Sequence, residues 1–235
     1  MKKALILSAA LVALSATLAA AQGINLSLND CGTFGLTNAP TNACNSNTGA
    51  ALQMVGSVVP PGDVPQMVAC EAVLDGQTNQ ATLSPWWSLD GCRSGAMTLG
   101  ADFTTSSGDC ADFWAGQGII VGGIDPTHSA PNRFRIKLTC AVPASQDMAP
   151  GSEYYMFHCN ILKTKTTGTG NCAGCTDACS IVLNEIRLDQ PAGVGDFRIF
   201  NPANSAVCNY NGGAGGYQAT PTANRTWGQV KALYR

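Results

Sequence analysis

Hydrophobic residues fall at every second position in several short segments of the chain, and a helical spacing sustained over ten or more residues is confined to its two ends. The clearest alternation runs from Arg133 to Cys140, with Phe134, Ile136, Leu138 and Cys140 on one face and Arg133, Arg135, Lys137 and Thr139 on the other. That period of two predicts a half-buried strand. The next run, Glu153 to Lys163, places Tyr155, Phe157, Cys159 and Ile161 together. Pro143 to Ser152 lies between the two runs and reads as a Pro/Gly-containing loop, so an antiparallel hairpin is expected. Further strands are expected over Ala51–Val59, ending at Pro60-Pro61-Gly62, and over Gln66–Leu74, ending at the Asp75-Gly76 turn signal. Ala96–Phe103 and Gly118–Ile124 are short, apolar and Gly-flanked. Ile181 and Leu183 alternate, but Ile186 and Leu188 continue in the opposite phase, and a bulge near Asn184-Glu185 would restore the register. Asp196–Phe200 and Gln218–Thr220 complete the series.

About eight to ten short strands separated by turn residues imply an all-β protein, an antiparallel β-sandwich of jelly-roll-like kind with few or no helices. No internal period suggests a repeat architecture. One domain is expected over residues 22–220, with Gln22–Pro61 as an outer layer. Residues 221–235 form a linker and a short amphipathic segment, with Trp227, Val230, Leu233 and Tyr234 at helical spacing. This tail reads as a docking helix that closes the core, with a sorting tag as the other reading.

The start of the chain changes the picture. Met1-Lys2-Lys3, the apolar run Ala4–Leu18 and Ala19-Ala20-Ala21 have the layout of a secretory signal peptide over residues 1–21. The run falls short of the about 20 apolar residues a membrane span needs, and no later segment supplies them. Export to an extracellular or surface location is therefore expected, with the periplasm as the other destination. The 11 cysteines then read as a disulfide framework of five bridges and one thiol. Local pairings are expected: Cys31 with Cys44, Cys92 with Cys110, and the Cys172/Cys175/Cys179 cluster closing on itself or reaching Cys208. A weaker alternative gathers Cys172, Cys175, Cys179 and Cys208, or His158, around zinc. A single knuckle argues for disulfides and no metal.

Composition excludes some chemistries. With 12% charged residues and a formal charge of −2, the chain lacks the basic patch that nucleic acid requires. Two histidines cannot build a three-His zinc site, and no G-x-S-x-G elbow, P-loop or dinucleotide fingerprint is present. His158 reads as a solvated residue opposite the core face, and His128 as part of the Asp125–His128 turn. Asp90, Asp102, Asp109, Asp112 and Glu185 show no spacing that selects an acid/base pair, and the turn aspartates read as turn formers. No catalytic residue and no cofactor are assigned. The aromatic signal is stronger. Adjacent Trp86 and Trp87 on a strand would point to opposite faces, so an exposed ring there, or at Trp114, would stack on a sugar or enter a protein partner. The competing reading packs all three into the core.

Gly23–Gly32, Asp112-Phe-Trp-Ala-Gly116, Cys172-Ala-Gly-Cys-Thr-Asp-Ala-Cys-Ser-Ile-Val-Leu-Asn184 and the Trp227–Arg235 tail resemble a group of uncharacterised secreted proteins of environmental bacteria. The resemblance implies export and a cysteine-rich framework and transfers no site residue. The resulting expectation is a secreted or cell-surface structural or binding module, partnered by a surface polysaccharide or a protein, without a catalytic site. A carbohydrate-binding module using Trp86, Trp87 or Trp114 is the first alternative. A small hydrolase using His128 or His158 is the second, and assembly into a surface layer or filament is the third.

Overall fold

The computed structural model describes residues 22–28, 31, 40–103, 110–125 and 130–213. The signal segment, His128, Asp109, the Gln218–Thr220 run and the 221–235 tail lie outside them. Ten strands form in chain order: β1 Gly23–Leu28, β2 Leu52–Val59, β3 Val64–Thr78, β4 Met97–Gly100, β5 Ile119–Asp125, β6 Arg133–Met148, β7 Tyr154–Ile161, β8 Cys179–Asp189, β9 Phe197–Ile199 and β10 Val207–Tyr210. They build two sheets, β1-β2-β7-β4 and β10-β8-β3-β6-β5, with β9 joining β8 beside β10. Every strand pair is antiparallel. The all-β expectation therefore holds, with no helix among the described residues.

The alternating pattern does the work predicted of it on β6, where Phe134, Ile136, Leu138 and Cys140 are buried. The predicted bulge on β8 is also present. Val73 of β3 faces Glu185 and Leu74 faces Leu183, which leaves Asn184 as the extra residue. Its amide is not idle: Nδ2 donates to Asp75 Oδ2 at 2.7 Å, while the Arg135 guanidinium grips the same carboxylate through Nε at 2.6 Å and Nη2 at 2.8 Å. Thus three adjacent strands are tied across the outer face of the second sheet.

Two expectations are corrected. The β6–β7 hairpin does not form, because β6 continues through Pro143 to Met148 and β7 lies in the other sheet. A proline is tolerated there because β5 pairs with β6 only as far as Ala141, and the β3 pairing shifts register over the same stretch. Nor is Gln22–Pro61 an outer layer, since β2 lies inside its sheet between β1 and β7. β1 is an edge strand, but its edge is covered: Ile24 N–H donates to Asn201 O at 2.9 Å and Leu26 N–H to Ser205 O at 2.8 Å.

The core fills the space between the sheets. Glycines on one strand make room for rings on the next: Gly56 faces Phe157, Gly76 faces Phe134 and Gly100 faces His158. A Cβ added at any of the three would overlap the facing ring. Phe134 in turn stacks on Trp87 at 6.2 Å and 11°. The Tyr210 ring lies 5.4 Å from that of Trp87, and its buried hydroxyl has no hydrogen-bond partner among the described residues.

Three disulfides join Cys31 to Cys110, Cys44 to Cys175 and Cys92 to Cys172. The local pairings are thereby corrected, and the structure has three bridges where five were expected, with Cys70, Cys140, Cys159, Cys179 and Cys208 buried and unbridged in it. Each bridge connects segments distant in sequence, 79, 131 and 80 residues apart. Cys172 and Cys175 have different, remote partners, which also removes two ligands from the zinc alternative. No group of metal-ligating side chains is present among the described residues.

Candidate functional site

The chemistry anticipated from sequence is found mostly inside the protein. Trp86, Trp87 and Trp114 are each 0% exposed. Their indole N–H groups donate internally, Trp86 to Thr166 Oγ1 at 3.1 Å, Trp87 to Asp177 O at 3.3 Å and Trp114 to Met156 O at 2.8 Å. The expectation of an exposed ring assumed a strand, but Pro85-Trp86-Trp87 is a turn. Opposite-face alternation does not apply to a turn, and both rings go inward, edge to face at 4.8 Å and 78°. None of the three offers a ring face to a sugar.

Sequence reasoning missed Arg93, which organises this region. It is wholly buried, with its guanidinium carbon 3.7 Å from the centre of the Trp86 ring. Nε donates to Thr164 O at 3.1 Å, Nη1 to Trp86 O at 3.1 Å, and Nη2 to Leu162 O. These acceptors are neutral carbonyls, so burial acts uncompensated and lowers the Arg93 pKa to about 10. The side chain still carries its charge at neutral pH, and it holds the 84–95 loop to the 162–166 segment. Nothing in the local sequence marks it apart from its place beside the bridged Cys92.

His158 is buried rather than solvated. Although it points away from the core face of β7, Phe103 covers it edge-on at 5.6 Å and 81°. Nε2 lies 3.2 Å from Asp102 O and Nδ1 lies 3.3 Å from Asn160 Nδ2. A neutral ring with its proton on Nε2 satisfies both contacts. Burial lowers its pKa, only partly offset by Asp102. This is the environment of a structural histidine. Asp112 is a turn former, as expected, with its carboxylate accepting from Trp114 N–H at 3.1 Å and Gly116 N–H at 2.6 Å.

The site that stands out lies on the side of the sandwich where the strands end at β4 and β5. Three large hydrophobic residues are exposed among the described residues, and two are neighbours on one face of β5: Ile119 at 63% and Val121 at 64%. β5 bonds to β6 along one edge, and among the described residues no strand pairs with its other edge. Between β4 and β5 lies an open cleft of about 660 Å³, walled by Leu89, Met97 and Leu99 on one side and Ile120, Gly122 and Ile124 on the other. Gly122 is required by the backbone, since a Cβ there would collide with Lys137 O and Leu138 Cα of β6. The strand is therefore drawn close to β6, with the Lys137–Asp125 ion pair at 2.6 Å fastening its end. An apolar strand edge that no described strand pairs with can accept another extended chain. Sequence reading identified Gly118–Ile124 as a strand but had no means of telling that it would be left at an edge. No family model, no curated protein and no solved structure matches the chain.

Proposed function

We propose that this protein is an exported, non-catalytic structural module that associates with copies of itself through β5. The observation carrying this reading is the edge Ile119–Ile124, which no described strand other than β6 pairs with. Proteins usually guard such an edge with lysine, proline, a bulge or a covering segment. Residues 119–124 contain no charge and no proline, whereas the β1 edge at the opposite side is capped by residues 201–205. An uncharged, apolar edge has nothing that repels its own copy. Antiparallel pairing about a two-fold axis presents the same residues from both partners, and it would bury Ile119 and Val121. Three disulfides suit an oxidising compartment, which supports export. With Trp86, Trp87 and Trp114 buried and His158 held by a carbonyl and an amide, neither a stacking platform for sugars nor a histidine-based hydrolase gains support from the described residues.

The test is light scattering on the full mature chain across a wide range of concentration, beside Val121→Lys. Association of the wild type, lost in a variant with an unchanged melting curve, is the expected result. A wild type that stays monomeric throughout would overturn the reading.

A further inference from the structure

We infer that Cys70 and Cys140 form a fourth disulfide, across the centre of the second sheet. The two are direct register partners on β3 and β6. Directly opposite residues of an antiparallel pair have Cα atoms about 4.5 or 5.5 Å apart, depending on the hydrogen-bonding position. Both values lie within the about 4.4–6.8 Å that a disulfide spans, and the three bridges already present have Cα separations of 5.2, 5.8 and 6.0 Å. Opposite residues also project to the same face. Here that is the core face, where both side chains are 0% exposed.

The other three thiols lack this relation to one another. Cys159 on β7 faces Met54 and Leu99, Cys179 on β8 faces Tyr210 and Thr78, and Cys208 on β10 faces Ile181. Only the 70/140 pair places two cysteines opposite each other.

The chemistry also fixes when the bond forms. Burial pushes the Cys140 thiol up to about 12 and raises Cys70 well above its ordinary value, with Cys140 adding to the shift. Thiolate is the attacking species in disulfide exchange, so the folded pair as thiols is inert. The bond must therefore form before β3 and β6 seal against the first sheet. One thiolate attacks a disulfide of a protein or small-molecule disulfide donor, the reactant class that the three other bridges also need. The second cysteine, as thiolate, then displaces the donor from the mixed disulfide. The pair gives up two protons and two electrons, and the donor's disulfide is reduced to two thiols. This inference rests on strand register and is independent of the β5 reading.

The full chain, produced by export into an oxidising compartment and acid-quenched, is alkylated in denaturant without reductant and weighed intact. Three alkylated cysteines are expected, with a non-reduced digest containing a peptide pair linked through Cys70 and Cys140. Cys70→Ala should raise the alkylated count to four by freeing Cys140, and Cys70→Ala/Cys140→Ala should return it to three. Because the count is made in denaturant, a variant that folds poorly still reports. Five alkylated cysteines in the wild type, falling to four in Cys70→Ala, would overturn the inference. So would a digest in which either residue is alkylated or linked elsewhere.

Discussion

Replacing Gly76 by alanine should destabilise the protein, against the usual direction for a glycine in a strand. Elsewhere in extended backbone, Gly→Ala stabilises by about 0.4–1 kcal/mol, because it removes freedom from the unfolded chain. At Gly76 the added methyl would lie inside the Phe134 ring, which crosses from the facing position on β6. The ring cannot simply withdraw, since it stacks on the fully buried Trp87 at 6.2 Å. Overpacking of this kind costs about 1–3 kcal/mol, so a net loss of about 1–2 kcal/mol is expected after the entropic gain. Phe134→Leu alone should cost about 1–2 kcal/mol through the space it leaves. In Gly76→Ala/Phe134→Leu the methyl occupies part of that space, so the double variant should be more stable than the two single losses predict, by about 1 kcal/mol. Denaturant unfolding of the four proteins, with equal m-values, measures the coupling. Additive losses, or a stabilised Gly76→Ala, would refute the claim that the glycine exists to seat the ring.

Tyr210→Phe should raise stability by about 1 kcal/mol, because it removes a buried hydroxyl that has no partner among the described residues; a lowered melting temperature would contradict this. Arg93→Met should cost about 3 kcal/mol by leaving three buried carbonyls without their donor. Arg93→Lys should recover only part of that loss, since an ammonium cannot reproduce the planar fork, and full recovery in denaturant unfolding would show that charge alone matters. His158 has a folded pKa below 6.5, so its contribution is complete above that pH and declines as pH falls below it, where the unfolded chain takes the proton first. Urea titrations at stepped pH should show that slope in the wild type and not in His158→Gln; equal slopes would remove His158 as the cause.

What the sequence disclosed was the part of the fold written in local alternation. β6 carries Phe134, Ile136, Leu138 and Cys140 inward as its pattern requires, and the phase change between Leu183 and Ile186 located the bulge at Asn184. β10 was missed because Val207–Tyr210 is too short to show a period. β1 is not among the strands read from sequence, although Ile24, Leu26 and Leu28 alternate. Pro143 hid the second half of β6, because a strand reads as ended by a proline when the unpaired side is not known. Disulfide pairing follows tertiary contact rather than spacing, so Cys44 with Cys175 had no local trace. The same holds for the candidate site: Ile119 and Val121 look like core residues until the sheet order leaves β5 without a second neighbour among the described strands.

The three bridges have a consequence for proteolysis. Their loops overlap: Cys31 to Cys110, Cys44 to Cys175 and Cys92 to Cys172 together enclose every peptide bond from Cys31 to Cys175. One cut anywhere in that span changes the chain without separating it, and both pieces stay joined through at least one disulfide. The segments outside that span, β1 before Cys31 and β8, β9 and β10 after Cys175, are held by the sheets alone. A molecule nicked within the span would still have both halves in place to pair their strands again. A gel run without reductant would show it as intact.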